Sequence, residues 1–375
     1  MKAQRFESLD GLRGIAAVIV VLFHFFSAYV PKLLPEQTDD PWWGSDTPLA
    51  ILYNGGFAVS VFFVLSGFVI ANSAAKRHMP ILFNLVSRYF RLAVPVLGGT
   101  LFAWALLALS PHTVAELKAV ENHTWLNWVY DGQMPGLLWA IKDALLGVFI
   151  HGQSLFNNVL WTMKIEMLGS LAIYLLYGLV GSQYRAQILI AASVLSVTGL
   201  RKPELAAFTI GALMREAYVH NRLTDSLVWP ALAFGILFGA MMEGYSARLG
   251  LASSPNMLAL GQPHQVWHVL AATSVLYAVL MSSRLRHLLS TKPARFLGDI
   301  SFGLYLIHVP LLYTLFVPLF LEARNSFGAT AGLAGVFLSC SLALGYLFTL
   351  LVDRPTVALI RRAQYGMPVG GFRSN

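Results

Sequence analysis

The sequence predicts an all-α protein, a polytopic bundle of transmembrane helices that forms a single domain over residues 1–375. The chain is 57% hydrophobic and only 12% charged, and its mean hydropathy is +0.63. A soluble domain carries about 25% charged residues and could not bury this much apolar surface. Several apolar runs also reach the roughly 20 residues that cross about 30 Å of hydrocarbon. The lipid bilayer is therefore the expected partner of most of the surface.

Eleven apolar runs follow one another along the chain. They cover residues 12–29, 53–74, 92–109, 137–150, 161–180, 187–199, 204–218, 227–243, 266–282, 300–321 and 329–352. Lysine and arginine concentrate in short segments between these runs, which predicts that those segments are cytoplasmic. The same distribution argues against nucleic acid as a partner, although the net charge is +8. Both termini, including a short tail over residues 354–375, are then expected on the cytoplasmic side of the cell (inner) membrane.

Two cytoplasmic termini require an even number of crossings, so one of the eleven runs should not cross. The candidate is the run at 137–150, because it is short and contains Lys142 and Asp143. We therefore expect about ten spans plus one half-helix or interfacial segment at 137–150, on the external side.

Two ionisable side chains share one face of the first run. Arg13 and His24 are eleven residues apart, which returns a helix to within roughly 20° and separates the two by about 16 Å along the axis. Asp10 lies near the same stripe. Arg13 and Asp10 also fit ordinary roles as charges at a helix end. A histidine within a membrane span more often marks a functional site, and a neutral imidazole facing a hydroxyl is a suitable general base.

Three further charged residues lie in or beside apolar runs. Arg88 and Arg91 are three positions apart and share a helix face. They are either two more cytoplasmic charges or a pair that binds a phosphate or a polarised carbonyl. Glu166 needs a partner inside its run, and Lys164 is an unlikely one because it lies about 200° around the helix.

Several uncharged residues could line a polar cavity or contact an acceptor. Ser301, Tyr305 and His308 form a stripe at positions i, i+4 and i+7 of one run, and packing explains this stripe as well as binding does. A small-residue face in the second run favours close helix packing more than binding. The candidates for cavity lining or acceptor contact are Ser66, Asn72, Trp161, Tyr305 and His308.

Sequence motifs for metals and nucleotides do not occur. The chain has no HExxH zinc motif, no phosphate-binding P-loop, no dinucleotide-type glycine fingerprint and no GxSxG elbow. We therefore expect no metal site and no permanently bound cofactor. Any chemistry has to come from polar side chains that face one another among the helices.

Six segments, in this order, resemble acyltransferase family 3 of integral-membrane acyltransferases. They are RFESLDGLRGIAAVIVVLFHF with its Arg-x10-His spacing, FFVLSGFVI, the Arg-x2-Arg pair in SRYFR, LWTMKIEM, FLGDISFGLYLIHVPLL and the closing VDRP. One departure is Met167, which stands where members often carry a second acid after the glutamate. The short segment after the last span suggests a stand-alone membrane domain, without the extracellular esterase-like domain of some members.

The resemblance implies transfer of an acyl group, commonly acetyl from acetyl-CoA as co-substrate, to a hydroxyl of a cell-surface glycan or related acceptor. It implies that His24 and Arg13 are essential and that Arg88 and Arg91 lie near the acyl donor. We expect Asp10 to orient Arg13. Glu166 would bind acceptor hydroxyls or balance an arginine.

The residues without the resemblance leave two other classes of protein open. A secondary transporter or exporter of a small polar solute or polysaccharide would also place histidine, glutamate and arginine inside spans. Such transporters usually contain internal repeats, which this sequence does not show. A sensor that binds a ligand without turnover is the third possibility.

Overall fold

The computed structural model describes residues 6–34, 37–38, 41–76, 79–121, 123–242 and 263–365. Within these ranges the regular structure is entirely helical, without a strand, which confirms the predicted all-α class. Of the predicted tail at 354–375, residues 366–375 lie outside the described residues.

Sixteen described helices follow one another along the chain. They are α1 (Glu7–Tyr29), α2 (Gly55–Lys76), α3 (Ile81–Leu109), α4 (Thr113–Val120), α5 (Leu137–Lys142), α6 (Val148–His151), α7 (Trp161–Leu179), α8 (Ser182–Thr198), α9 (Pro203–Val219), α10 (Val228–Gly239), α11 (Pro263–Met281), α12 (Ser283–Leu289), α13 (Lys292–Tyr313), α14 (Phe316–Ala323), α15 (Phe327–Phe348) and α16 (Arg354–Tyr365). Short 3₁₀ turns supplement them at Pro31–Leu33, Trp43–Asp46, Pro48–Tyr53, Thr124–Trp128 and Asn158–Leu160.

Seven of the described helical stretches are long and apolar enough to cross a membrane. They contain α1, α2, α3, α7, α11, α13 and the continuous stretch from α15 to α16. The shorter helices α8, α9 and α10 correspond to the other three predicted spans. The chain is thus a multi-pass membrane protein, and the total of ten crossings stays a prediction.

The run predicted not to cross, at 137–150, is part of one short and continuous helical segment. Helices α5 and α6 are joined by a π-helical turn over Asp143–Gly147, which makes 15 residues in all, or about 22 Å. This length is below the roughly 30 Å of the hydrocarbon core. Asp143 is buried there and accepts a hydrogen bond from Ser154 Oγ at 2.9 Å.

The beginning of the predicted tail is part of a helix. A π-helical turn over Thr349–Asp353 joins α15 to α16, so that helical structure runs without a break from Phe327 to Gln364. The tail therefore starts as an ordered continuation of the last long helix, with Asp353 at the junction.

Helices α1 and α13 form the central pair of the bundle and run in the same direction. Their close approach depends on glycine: a methyl group on Gly14 would lie 2.4 Å from the backbone nitrogen of Gly298, which no helix pair accommodates without moving apart. Gly67 of α2 meets α9 in the same way, at 2.1 Å from Phe208 O. This contact supports the packing interpretation of the small-residue face on α2.

Candidate active site

Two cavities lie on either side of a shared wall inside the bundle. We call the first the arginine cavity; its volume is about 150 Å³, and its lining includes Arg13, Ser66, Arg88, Arg91, Glu166, Asp299, Ser301 and Asp353 among apolar side chains. We call the second the histidine cavity; its volume is about 310 Å³, and its largely apolar lining includes His24, Asn54, Gly56, Trp125, Trp161, Glu204, His264, Gln265 and His268. Val59 and Tyr305 line both cavities and therefore form the wall between them.

In the arginine cavity, Glu166 of α7 is paired with Arg88 of α3. The Arg88 Nη2 group donates to Glu166 Oε1, and Arg88 Nε donates to Ser170 Oγ at 2.8 Å. Ser66 of α2 donates to the same carboxylate oxygen at 2.9 Å. Glu166 thus balances an arginine from another helix, and three helices meet at its carboxylate.

Arg91 is held by a different carboxylate. Both of its terminal nitrogens face Asp353, with Nη1 donating to Oδ1 and Nη2 lying 3.3 Å from Oδ2. Its guanidinium carbon also lies 5.5 Å from the ring centre of Phe302. Arg88 and Arg91 therefore line one cavity but are directed to separate acids, a division that their spacing in the sequence does not show.

Arg13 is the most accessible of the three arginines. Its Nε donates to Ser301 Oγ at 3.1 Å, and its Nη2 donates to Asp10 Oδ1 at 3.1 Å and to Gly298 O at 3.2 Å. The Arg13 side chain is 42% exposed, against 15% for Arg88 and 31% for Arg91. Asp10 contacts Arg13, as expected, and does not itself line the cavity.

His24 lines the histidine cavity and is only 7% exposed. Its Nδ1 lies 2.8 Å from Val20 O, and a carbonyl oxygen can only accept, so we place the proton of the neutral ring on Nδ1. The other ring nitrogen, Nε2, then carries the lone pair. The fixed tautomer therefore leaves one nitrogen of His24 able to take a proton.

His308 supports this arrangement from behind. Its Nδ1 lies 3.0 Å from Leu304 O, which leaves its Nε2 as an acceptor 3.2 Å from His24 Nδ1. His308 is fully buried and lines neither of these two cavities. Its position makes it a partner of His24 instead.

The remaining uncharged candidates divide between the two cavities. Ser66 lines the arginine cavity, and Trp161 lines the histidine cavity. The Tyr305 hydroxyl donates to Val159 O at 2.8 Å and lies 2.8 Å from Thr162 Oγ1, which fixes the ring in the shared wall. Asn72 lines neither of these two cavities, and its expected role in lining a cavity or contacting an acceptor stays a prediction.

Several residues that line these cavities were not singled out from the sequence. The main ones are Asn54, Trp125, Glu204, His268 and Asp353. His268 lies inside an apolar run and Asp353 directly follows one, so the rule that pointed to His24 and Glu166 could have found them. Among the described residues, no three side chains of histidine, cysteine, aspartate or glutamate come together as a possible metal site.

Comparison with known proteins identifies the family of the chain. A family model described as an acyltransferase domain matches residues 6–350. No curated protein and no solved structure matches the chain significantly. Because the family match covers nearly the whole chain, including both cavities except Asp353, this multi-pass membrane protein belongs to acyltransferase family 3.

Proposed function

We propose that this membrane acyltransferase transfers an acyl group, acetyl in the simplest case, from cytosolic acyl-CoA to a hydroxyl of an extracytoplasmic glycan or related acceptor. The observation that carries the proposal is the pair of cavities. One contains three arginines, the other contains His24, and only the wall of Val59 and Tyr305 separates them.

The arginine cavity suits an anionic donor. A guanidinium group has five N–H donors, so an arginine that binds a carboxylate can still donate to a phosphate or a thioester carbonyl. Glu166 and Asp353 hold Arg88 and Arg91 in place, which reduces the entropy lost when a ligand binds. Arg13, the most exposed of the three, is the one that an arriving phosphate can reach first.

The direction of the helices supports opposite access to the two cavities. The arginine cavity lies where α1, α3 and α13 begin, whereas the histidine cavity is lined by the first residues of α2, α9 and α11. The distribution of lysine and arginine predicts that the first of these ends is cytoplasmic. The donor would then enter from the cytosol and the acceptor from the other side.

His24 is the proposed general base. As the acceptor oxygen attacks the thioester carbonyl, His24 Nε2 takes the hydroxyl proton, the carbon–sulfur bond breaks, and the proton is passed on to the departing CoA thiolate. The same nitrogen could instead carry the acyl group briefly, before the hydroxyl attacks it. Both routes need Nε2 unprotonated, which the hydrogen bond from Nδ1 to Val20 O provides.

The test is transfer of labelled acetyl from acetyl-CoA in membranes that contain wild-type or His24→Ala protein. Loss of a general base lowers the rate by about 10²–10⁴-fold. His112→Ala is the matched control, since His112 is exposed and lines neither cavity. Full activity of His24→Ala at matched expression would overturn the catalytic role, and solute flux without consumption of acetyl-CoA would favour a transporter.

A further inference from the structure

The part of the histidine cavity formed by α9 and α11 contains acceptor atoms without partners. His268 of α11 is 3% exposed, and its Nε2 lies 2.6 Å from Met241 O. The proton is therefore on Nε2, and Nδ1 carries the lone pair. Asn54 Nδ2 donates to the same carbonyl at 3.1 Å and lies 3.2 Å from His268 Nε2, so the two donors share one acceptor. The buried Nδ1 has no hydrogen-bond partner in the described part of the chain.

The residue next to this nitrogen in the cavity lining is a glycine, Gly56. A methyl group on Gly56 would lie 3.1 Å from His268 Nδ1, closer than ordinary van der Waals contact. Gly56 is exposed and lines the cavity. The lone pair of His268 therefore lies beside a position of the cavity lining that carries no side chain.

Two more unpaired acceptors line the same cavity. Glu204, in the first turn of α9, has Oε2 buried without a hydrogen-bond partner among the described residues. Gln265, in the first turn of α11, has Oε1 buried and equally without a partner there. Gln265 and His268 are three residues apart and thus share a helix face. A buried acceptor without a partner is unfavourable, so three in one cavity indicate a ligand that brings several hydrogen-bond donors.

The charge of the cavity restricts that ligand further. Among the described lining residues, Glu204 is the only one with a carboxylate, and none is a lysine or an arginine. An anionic ligand would meet a like charge with no cation to balance it, which is unfavourable in a partly desolvated site. Hydroxyl groups and ammonium groups, in contrast, can donate hydrogen bonds to a carboxylate oxygen or to the unprotonated nitrogen of a histidine.

We propose that Glu204, Gln265 and His268 form an acceptor subsite that binds a neutral or cationic polyhydroxylated group, such as a hexose or an amino sugar, and rejects a uronic acid. The identification of this ligand as the acyl acceptor rests on the proposed function. Binding itself needs no acyl donor, and it can be measured separately from transfer.

The experiment titrates the full-length wild-type protein, in detergent and without acyl-CoA, with three methyl glycosides. They are methyl glucoside, methyl glucosaminide and methyl glucuronide, which are neutral, cationic and anionic. The readout is tryptophan fluorescence, because Trp125 and Trp161 line the cavity. We expect the neutral and cationic glycosides to bind with millimolar or better affinity, and the glucuronide to bind at least about tenfold more weakly.

Two variants test the subsite itself. Gly56→Ala closes the approach to His268, and Glu204→Gln removes the charge; each should weaken binding of the glucosaminide by about tenfold. Glu204→Gln should also narrow the difference between glucosaminide and glucuronide. The matched controls are Gly332→Ala, where a methyl group meets nothing within 4 Å, and Glu322→Gln, an exposed residue of α14; neither should change binding.

Three results would overturn the subsite: equal or tighter binding of the glucuronide, no binding of the other two glycosides in the millimolar range, or full binding in both variants. Each is distinguishable from failure of the proposed function. If glycosides bind as expected but no acetyl is transferred, only the reaction is wrong. If transfer occurs but the preference is absent, only the subsite is wrong.

Discussion

The two cavities share a wall but differ in whether their polar groups are already paired. In the arginine cavity, Glu166 and Asp353 are each paired with an arginine, so the charges are held in place before any ligand arrives. In the histidine cavity, His268 and Glu204 each have an acceptor atom without a partner in the part of the chain that the structure describes. The first arrangement is preorganised for anions, and the second leaves hydrogen bonds to be completed by a ligand. In the proposed reaction, the arginine cavity would therefore bind the anionic donor, and the histidine cavity would bind the hydroxyl acceptor.

The largest expected effect comes from breaking the pair that organises the arginine cavity. Arg88→Met leaves Glu166 largely buried without a cation, which should lower the free energy of unfolding by about 3 kcal/mol. Unfolding by denaturant in detergent measures it. The double variant Arg88→Met with Glu166→Leu should recover most of the stability without recovering acyl transfer. A double variant as unstable as the single one would show that the pair is not the cause.

The next effect concerns the support of His24. Without His308, the Nδ1 proton of His24 loses one of its two acceptors, so His308→Ala should lower kcat by about 10- to 100-fold with little change in either KM. Steady-state kinetics against acetyl-CoA and acceptor measure this. His308→Gln, whose side-chain oxygen can accept, should recover part of kcat. A change in KM alone would contradict a positioning role.

A smaller effect is expected from Asp353, because Arg91, the arginine that it binds, also contacts Phe302. Asp353→Asn keeps the shape of the side chain but removes the charge, so Arg91 should be less well placed for an anionic donor. We expect KM for acetyl-CoA to rise by about tenfold and kcat to stay close to wild type. Asp225→Asn, an exposed residue that lines neither cavity, is the control. A fall in kcat with unchanged KM would place Arg91 outside the donor site.

The smallest effect belongs to the most exposed ion pair of the site. Arg13 is 42% exposed and is also held by Ser301 and Gly298. Asp10→Ala should therefore change the free energy of unfolding by less than about 1 kcal/mol. Denaturant unfolding compares it with Arg88→Met. A loss of unfolding free energy as large as that of Arg88→Met would show that the exposed pair contributes as much to stability as the buried pair.

The sequence was most informative where a polar residue interrupts an apolar run. Arg13, His24 and Glu166 stand out for this reason, and the structure places them at cavities. Their partners could not be predicted, because the contacts join distant segments: His24 meets His308 and Glu166 meets Arg88. A single sequence, considered alone, does not indicate which helices will be neighbours.

The fold was predictable at the level of class and less so in detail. Hydropathy gave the long helices, since crossing a bilayer requires apolar length. The boundary at 354 was not predictable, because α16 continues the last long helix through a π-helical turn. Asn72 was a candidate for cavity lining because it is polar, but it lies on α2 away from both cavities. Its polarity alone could not show this.

The wall of Val59 and Tyr305 has an electrical consequence. Two cavities that open to opposite sides of a membrane would, if they joined, form a water-filled path for protons and ions. Val59 contributes an apolar side chain to the wall, and the Tyr305 hydroxyl is held by Val159 O and Thr162. In the proposed reaction, the acyl group would have to pass this wall while the membrane stays insulated.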